Sequence, residues 1–450
     1  MKRILAAGAM LVGTAMSAQA ADLAVKAPYL KAPVLAVYNW TGFYMGVNAG
    51  VGISRDRVQH DFTNDSLYLA PQGAFGGGQI GYNWQGDSLL GPIVYGLEAD
   101  IQGAGLSDGH TNVGGGIGGL TPTAYGSKVD WFGTVRGRVG LATGPVLSYF
   151  TGGYAYGNVK TTVTEGGVAA FSDNRTAGGW TVGSGVEASL GGNWTGKVEY
   201  LYLNLGNRTD TFLGQSLNSE IRENIFRVGL NYRIGGNSLY SPVVAANWTG
   251  WYLGGNVGSG TGRDRSSLTA NGTTERFNLA PDGINGGVQA GYNWQAGNWV
   301  YGIEADIQGS SQKDNKTTGS LGTIAYDATL PWFGTVRGRV GYSVGQSLFY
   351  ATGGYAYGGV KTKVTQGAFG GTVDKTQGGY AVGGGIETPF KLLGLFGPNW
   401  TSKTEYLYVD LGSNTAIVPG TVATLTTNVT EHVFRTGLNY HFSTPVVAKY

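Results

Sequence analysis

The sequence predicts an all-β fold, a transmembrane antiparallel β-barrel that occurs as two tandem eight-stranded barrels. Three observations lead to this prediction. Apolar and polar residues alternate in repeated segments, long and short connections alternate between those segments, and the whole pattern occurs twice within 450 residues. The composition agrees, because 81 glycines and 12% aromatic residues without a Gly-X-Y period are typical of chains with many strands and turns.

The first 20 residues are predicted to be an export signal that is cleaved near Ala20. Lys2 and Arg3 form a basic start, an apolar stretch follows, and Ala18-Gln19-Ala20 has the small residues of a cleavage site. We expect residues 21 to 38 to form a periplasmic N-terminal linker. No later stretch of the sequence is apolar for the roughly 20 residues that a transmembrane helix needs.

Charge and cysteine content exclude several classes of function. Without residues 1 to 20, the chain has 28 basic and 28 acidic residues, and this balance predicts no nucleic-acid partner. The chain has no cysteine, so neither disulfides nor thiol chemistry is expected.

Eight alternating segments are predicted to be the strands of a first barrel at residues 39 to 234. These segments are residues 39 to 51, 77 to 86, 93 to 103, 128 to 141, 145 to 160, 178 to 190, 195 to 205 and 223 to 234. Most have at least the roughly 9 to 11 residues that a tilted strand needs to cross a bilayer. Long polar or glycine-rich connections follow the odd strands and short turns follow the even ones, so both ends of the unit are expected on the periplasmic side.

Alternation alone would also fit a soluble exported β-sandwich, in which the apolar face is the core. On the first segment, for example, Phe43, Met45 and Val47 share one face, while Tyr44 and Asn48 share the other. The export signal, the tryptophans near strand ends, and the acids and bases on adjacent polar faces favour the membrane barrel.

The second half of the chain repeats the first. WFGTVRGRVG begins at both Trp131 and Trp332, and NWTGFYMGVNAG at Asn39 is matched by NWTGWYLGGNVG at Asn247. We therefore expect a linker at residues 235 to 246, a second barrel at residues 247 to 442 and a C-terminal extension at residues 443 to 450.

The predicted inward faces carry charged residues that recur in both units. The set consists of Glu98, Asp100, Arg136, Arg138, Glu187, Lys197, Glu199 and Arg227, and of Glu304, Asp306, Arg337, Arg339, Glu387, Lys403, Glu405 and Arg435. The interior of an eight-stranded barrel is just wide enough to be filled by side chains, and charges buried there must be paired. We expect Arg136 and Arg138 to face Glu98 and Asp100 in a charge network that plugs the barrel. The alternative is that these charges line a conduction path.

No motif predicts catalysis, a cofactor or a metal. Two matches to G-x-G-x-x-G, GGGQIG at Gly76 and GGGIGG at Gly114, are expected by chance in a glycine-rich chain, and neither opens a helix. None of the four histidines has a histidine counterpart in the other unit; they are His60, His110, His432 and His441. No Ser/His/Asp set is apparent. The chain is therefore predicted not to be an enzyme, with no catalytic, cofactor-binding or metal site.

The ordered motifs resemble the OmpA-type small outer-membrane β-barrel family, specifically the porin-family and outer-membrane immunogenic proteins of alphaproteobacteria. The motifs are NWTGFYMGVNAG, YGLEADIQG, WFGTVRGRVG, KVEYLYLNLG and FRVGLNYRI. The resemblance implies an outer-membrane location, with lipid and lipopolysaccharide around the barrels and the outer-membrane assembly machinery as a partner. Gly437, Tyr440 and Phe442 match the assembly signal of such proteins. The chain departs from the family in having residues 443 to 450 after this signal, and in having two units where the family usually has one.

The predicted function is a structural or surface-exposed envelope role, with interiors plugged by paired charges. Two alternatives stay open: a general diffusion porin with one sixteen-stranded aqueous pore for small solutes, and loop-mediated adhesion or ligand binding. Two separate barrels require the last strand of each unit to pair with the first strand of the same unit, whereas one large barrel requires it to pair with the other unit.

Overall fold

A computed structural model describes residues 38 to 442, apart from residues 61 to 65, 90, 113 to 122, 166 to 167, 213 to 214, 236 to 245, 319 to 323 and 391 to 395. The predicted signal at residues 1 to 20, almost all of the linker at 21 to 38, most of the linker at 235 to 246 and the extension at 443 to 450 therefore lie outside the described residues. Among the described residues, no helix is long and apolar enough to cross a membrane.

The first unit forms one antiparallel sheet. Its strands are β1 (Gly42–His60), β2 (Ser66–Leu69), β3 (Gln72–Ser88), β4 (Gly91–Asn112), β5 (Thr123–Thr143), β6 (Val146–Glu165), β7 (Val168–Gly191), β8 (Trp194–Phe212) and β9 (Gln215–Ile234). Both β2 and β3 pair with β1. The predicted second strand, residues 77 to 86, lies within β3, whereas β2 falls in the connection predicted before it. The interruption falls at Ala70 and Pro71, because proline has no N–H to donate to a strand ladder.

The second unit repeats this arrangement. Its strands are β10 (Gly250–Ala270), β11 (Thr273–Leu279), β12 (Asp282–Ala296), β13 (Trp299–Thr318), β14 (Ile324–Val344), β15 (Ser347–Gln366), β16 (Phe369–Pro389), β17 (Trp400–Ile417) and β18 (Thr424–His441). The same interruption occurs between β11 and β12, at Ala280 and Pro281.

Each sheet closes on itself. Consecutive strands from β3 to β9 and from β12 to β18 are hydrogen-bonded neighbours, β9 returns to β1, and β18 returns to β10. The register places Val47 opposite Leu230 in the first unit and Gly255 opposite Leu438 in the second. These are the pairings predicted for two barrels, and we call the two closed sheets the first and second barrel.

The strands are longer than predicted. The sequence predicted long connections at residues 52 to 76, 104 to 127, 161 to 177 and 206 to 222, but much of each connection is strand. In the hairpin of β6 and β7, for example, pairing continues outward to Val163 opposite Phe171 and Glu165 opposite Val168. The prediction stopped where the alternation of apolar and polar residues stopped, whereas backbone pairing continues through polar residues. We call the end of each barrel reached by these extensions, away from Gly42 and Ile234, the outer end.

The outward faces are apolar and end in aromatic residues. Val135 and Val139 are exposed on the outside of β5, with 51% and 48% of their surfaces accessible. Near the end of the first barrel where the chain enters, the rings of Trp84 and Tyr95 stack with their centroids 6.0 Å apart. Nearer the outer end, Trp131 lies against Tyr156 at 6.1 Å. An apolar band between two aromatic girdles is the surface that a bilayer requires of a barrel.

Candidate functional site

The charged residues in the first barrel are brought together by the register of the strands. Glu98 on β4 lies opposite Arg136 on β5, and Glu199 on β8 lies opposite Arg227 on β9. Because side chains alternate along a strand, the charged residues at every second position all point inward. All eight predicted residues of the first unit are buried.

Arg136 is at the centre of this network. Its guanidinium contacts Glu98, and it lies 3.1 Å from Asp100 Oδ2 and 3.0 Å from Glu199 Oε1. Its Nε also donates a 2.8 Å hydrogen bond to the hydroxyl of Thr134. Since arginine presents several donors in one plane, a single guanidinium can join carboxylates from strands on different sides of the barrel.

The other three cations have partners in the same network. Arg138 Nη1 lies 2.9 Å from Glu187 Oε2, and Lys197 Nζ lies 2.9 Å from Glu98 Oε1. Arg227 Nη2 lies 2.5 Å from Glu199 Oε2 and 3.0 Å from an oxygen of Asp100. Four acidic and four basic side chains therefore neutralise one another within the barrel.

The second barrel contains the same network. Its ion pairs are Arg337 with Glu304 at 2.6 Å, Asp306 at 3.1 Å and Glu405 at 3.0 Å, Arg339 with Glu387 at 3.1 Å, Lys403 with Glu304 at 2.6 Å, and Arg435 with Asp306 at 2.9 Å and Glu405 at 2.7 Å. All eight residues predicted for this unit are thus brought together as well.

Tyrosines that the sequence pattern does not single out complete the networks. Tyr44 donates a 2.8 Å hydrogen bond to Glu98, and Tyr149 donates a 2.9 Å hydrogen bond to Glu199. Tyr252 and Tyr350 make the equivalent bonds in the second barrel. These tyrosines lie on the polar faces of duplicated segments, and this position could have identified them. A pattern that divides residues only into apolar and polar counts tyrosine as apolar.

One histidine joins the second network without a counterpart in the first. His441 Nε2 lies 2.9 Å from Glu387 Oε1. The equivalent position in the first unit is Arg233, which instead hydrogen-bonds to the backbone carbonyl of Asn39. A histidine can therefore belong to the network of one unit even though the other unit has no histidine at the equivalent position. Among the described residues, no group of three or more acidic, histidine or cysteine side chains could hold a metal ion.

Apolar side chains fill the interior between the network and the outer end. In the first barrel, Phe132 and Leu106 are fully buried here, and the rings of Phe75 and Phe132 meet edge to face at 5.2 Å. The buried residues of this apolar layer are Phe75, Leu106, Val129, Phe132, Ala155, Val159, Leu201, Leu203, Leu205, Ile221 and Ile225. A similar layer surrounds Phe333 in the second barrel. Each interior is thus occupied by a charged layer and an apolar layer in series.

A family model for the outer membrane protein β-barrel domain matches the chain twice, at residues 7 to 233 and 236 to 442. The 31 kDa outer-membrane immunogenic protein of Brucella melitensis biotype 1 is 40% identical over 236 residues, which are 49% of this chain and 94% of that protein. The 22 kDa outer membrane protein of Rhizobium leguminosarum bv. viciae is 34% identical over 206 residues, 45% of this chain and 82% of that protein. One such relative therefore corresponds to about half of this chain.

Among solved structures, Neisserial surface protein A is 13% identical and aligns with 43% of this chain and 98% of its own, with a TM-score of 0.24. The toluene transporter TodX of P. putida is 9% identical and aligns with 89% of this chain and 90% of its own, with a TM-score of 0.27.

Proposed function

We propose, from the premise that the chain belongs to the outer membrane protein β-barrel family, that it is an outer-membrane anchor whose two closed barrels present extracellular hairpins at the cell surface. The family resemblance predicted from the motifs is confirmed, and so is the outer-membrane location. The observation that carries the proposal is the neutral, fully buried charge network inside each barrel.

The network supports a plug better than a conduction path. A selective pore presents charges of one sign to water, whereas here each predicted cation contacts a carboxylate. Breaking one buried pair costs about 3 to 5 kcal/mol, because it leaves the other charge buried without a partner. The apolar layer around Phe132 is a second barrier in series. The porin alternative is therefore not favoured, and the predicted charged residues are proposed to have a structural role.

The length of the strands supports a surface-exposed role. β7 has 24 residues, whereas a tilted strand crosses a bilayer with roughly 9 to 11. The additional residues extend the hairpins beyond the membrane at the outer end, where they would be accessible to antibodies or other molecules. Loop-mediated adhesion stays a prediction of the sequence.

The remaining predictions on activity and partners are part of this proposal. The chain is proposed not to be an enzyme, in keeping with relatives that are named as outer-membrane proteins. The family places the barrels in outer-membrane lipid. Contact with lipopolysaccharide and recognition by the assembly machinery are proposed. The exposed outward side chains of Tyr440 and Phe442, next to the end of β18, are consistent with such recognition.

Single-channel recording on the purified, refolded protein in planar lipid bilayers tests the plugged-barrel proposal. We expect no large, stable conductance steps. A matched control is Val135→Ala, which alters the outside of β5 and leaves the interior unchanged, so its recording should be identical. Large stable steps from protein whose fold is verified by circular dichroism would contradict the proposal and restore the porin alternative.

A further inference from the structure

One side of the first barrel does not have the exposure expected of a lipid-facing wall. Val186 and Val198 flank inward-facing charged residues on β7 and β8, so they point outward. Only 6% and 7% of their surfaces are accessible, in contrast to 51% for Val135 on another wall of the same barrel. The cluster that contains these valines also contains Ile386 and Phe434 of the second barrel. The second barrel therefore covers this wall.

Aromatic contacts across the boundary come in reciprocal pairs. Tyr200 stacks on Phe434 with ring centroids 4.9 Å apart, and Phe226 lies against Tyr406 at the same distance. Tyr200 and Tyr406 occupy equivalent positions in KVEYLYLNLG and KTEYLYVDLG, and Phe226 and Phe434 begin FRVGLNYRI and FRTGLNYHF. Exchanging the two units therefore exchanges the two contacts. This reciprocity is the property of an isologous interface around a two-fold axis.

Ion pairs toward the outer end show the same reciprocity. Arg55 of the first barrel lies 2.5 Å from Asp314 of the second, and Arg263 of the second barrel contacts Asp108 of the first. The two arginines occupy equivalent positions in SRDR and GRDR. The two aspartates are also equivalent, because each accepts a hydrogen bond from the backbone N–H of the alanine at the strand interruption of its own barrel. Burial raises the pKa of Asp314, and the nearby Arg55 opposes that change. Both aspartate side chains are almost completely buried, so each arginine compensates a charge that water does not reach.

The two walls are equivalent in position but differ in chemistry. At four buried positions an apolar residue of the first barrel is replaced by a hydroxyl residue in the second: Ile53 by Thr261, Val146 by Ser347, Ala188 by Thr388, and Val198 by Thr404. In contrast, the eight interior charges are identical in the two units. Side chains packed on opposite sides of such a boundary can differ once the two units are held in one chain, whereas an interface between identical chains must be self-complementary.

We propose that the wall formed by β1 and β6 to β9 is a recognition surface for a second copy of the same unit, and that the chain is a fused dimer built on it. The inference rests on the proposed two-barrel arrangement. Both units enter and leave at the same end of their barrels, so the two-fold axis that relates them runs along the membrane normal. The first barrel pairs with the second barrel. Because the second barrel has hydroxyl residues where the first has apolar ones, this pairing is preferred over a pair of two identical barrels.

The test uses the full chain with a protease site placed within residues 236 to 245, cleaved after refolding in detergent. We expect the two halves to remain together on size-exclusion chromatography. Gly196→Leu should separate them, because a Cβ at Gly196 would lie 3.2 Å from a ring carbon of Phe349 in the second barrel. A leucine is apolar and suits a lipid-facing position, so the barrel itself should still fold.

The matched control is Gly137→Leu, an outward position on β5 that is exposed and where a Cβ has room. This variant should behave as the wild type. Arg263→Met removes one partner of a buried pair and should weaken the association of the halves by about a hundredfold. Wild-type halves that separate on cleavage while each stays folded would overturn the fused dimer.

Heat-dependent mobility of each half on SDS gels distinguishes failure of this inference from failure of the two-barrel proposal. Folded barrels that separate in Gly196→Leu support both. If the chain were a single sixteen-stranded barrel, the halves would come apart only as they lost their folded mobility, and both proposals would fail together.

Discussion

Arg136 owes its place in the barrel to the carboxylates around it. It contacts Glu98, Asp100 and Glu199 and is almost entirely inaccessible to water. The Coulomb attraction must compensate for removing all of these charges from water, and this balance is favourable only while each partner is present. The network is therefore stable as a set and sensitive to the loss of any one member.

Arg136→Ala is expected to lower the free energy of unfolding by about 3 to 5 kcal/mol, since it leaves buried carboxylates without a partner. Urea unfolding of the refolded protein in detergent or lipid, followed by tryptophan fluorescence, measures the change. The control is Arg175→Ala, which breaks a 3.8 Å ion pair with Asp173 whose side chains are 44% and 33% exposed. Such a surface pair contributes about 0 to 1 kcal/mol. A loss of less than 1 kcal/mol for Arg136→Ala would show that the network does not hold the barrel together.

At the scale of the strands, closure of each barrel depends on the last strand returning to the first. β9 pairs with β1 over eighteen residues, from Phe43 opposite Ile234 to His60 opposite Leu217. A sixteen-stranded barrel would instead require β9 to pair with β10. The alternatives differ in which outward residue faces Leu230: Val47 of its own unit or the equivalent Gly255 of the other.

Because the chain has no cysteine, engineered pairs test this directly. Val47→Cys with Leu230→Cys should form a disulfide on mild oxidation, since side chains directly opposite on antiparallel strands have Cβ atoms about 4.5 to 5.5 Å apart. Gly255→Cys with Leu230→Cys is the matched pair and should remain reduced. Mobility of the oxidised protein on a denaturing gel reports the crosslink. Crosslinking of the second pair alone would contradict closure within the unit.

The sequence predicted the membrane-crossing parts of the strands well and their extensions poorly. Within the bilayer one face must be apolar, so the alternation at Phe43, Met45 and Val47 is strict and easily read. Beyond the bilayer both faces of a hairpin can be polar, and backbone pairing alone continues the strand. The charge network was also predictable, because inward-facing acids and bases on neighbouring strands have few other partners. The tyrosines and the apolar layer were not, because their residue types are equally expected on the outward face.

At the scale of the whole molecule, sequence alone does not distinguish a wall that faces lipid from a wall that faces the other barrel. Val135 and Val198 are both outward valines next to charged inward positions, yet only the first is exposed. Both surroundings are apolar, so both select the same side chains. The distinguishing features are reciprocal contacts such as Arg55 with Asp314 and Arg263 with Asp108, which require the two units to be placed side by side.

The proposed arrangement of two separate interiors leads to a final prediction about how the units influence each other. The network contacts of Arg136 are with residues of the first barrel, and those of Arg337 are with residues of the second. Changes at sites that share no partner add to within about 0.3 to 0.5 kcal/mol. Arg136→Ala and Arg337→Ala should therefore lower the free energy of unfolding independently, and the double variant should show their sum.

In a single shared lumen the two arginines would act on one set of carboxylates, and their effects would couple. A double-mutant cycle by urea unfolding measures this, and a coupling energy above about 1 kcal/mol would show that the networks are not separate.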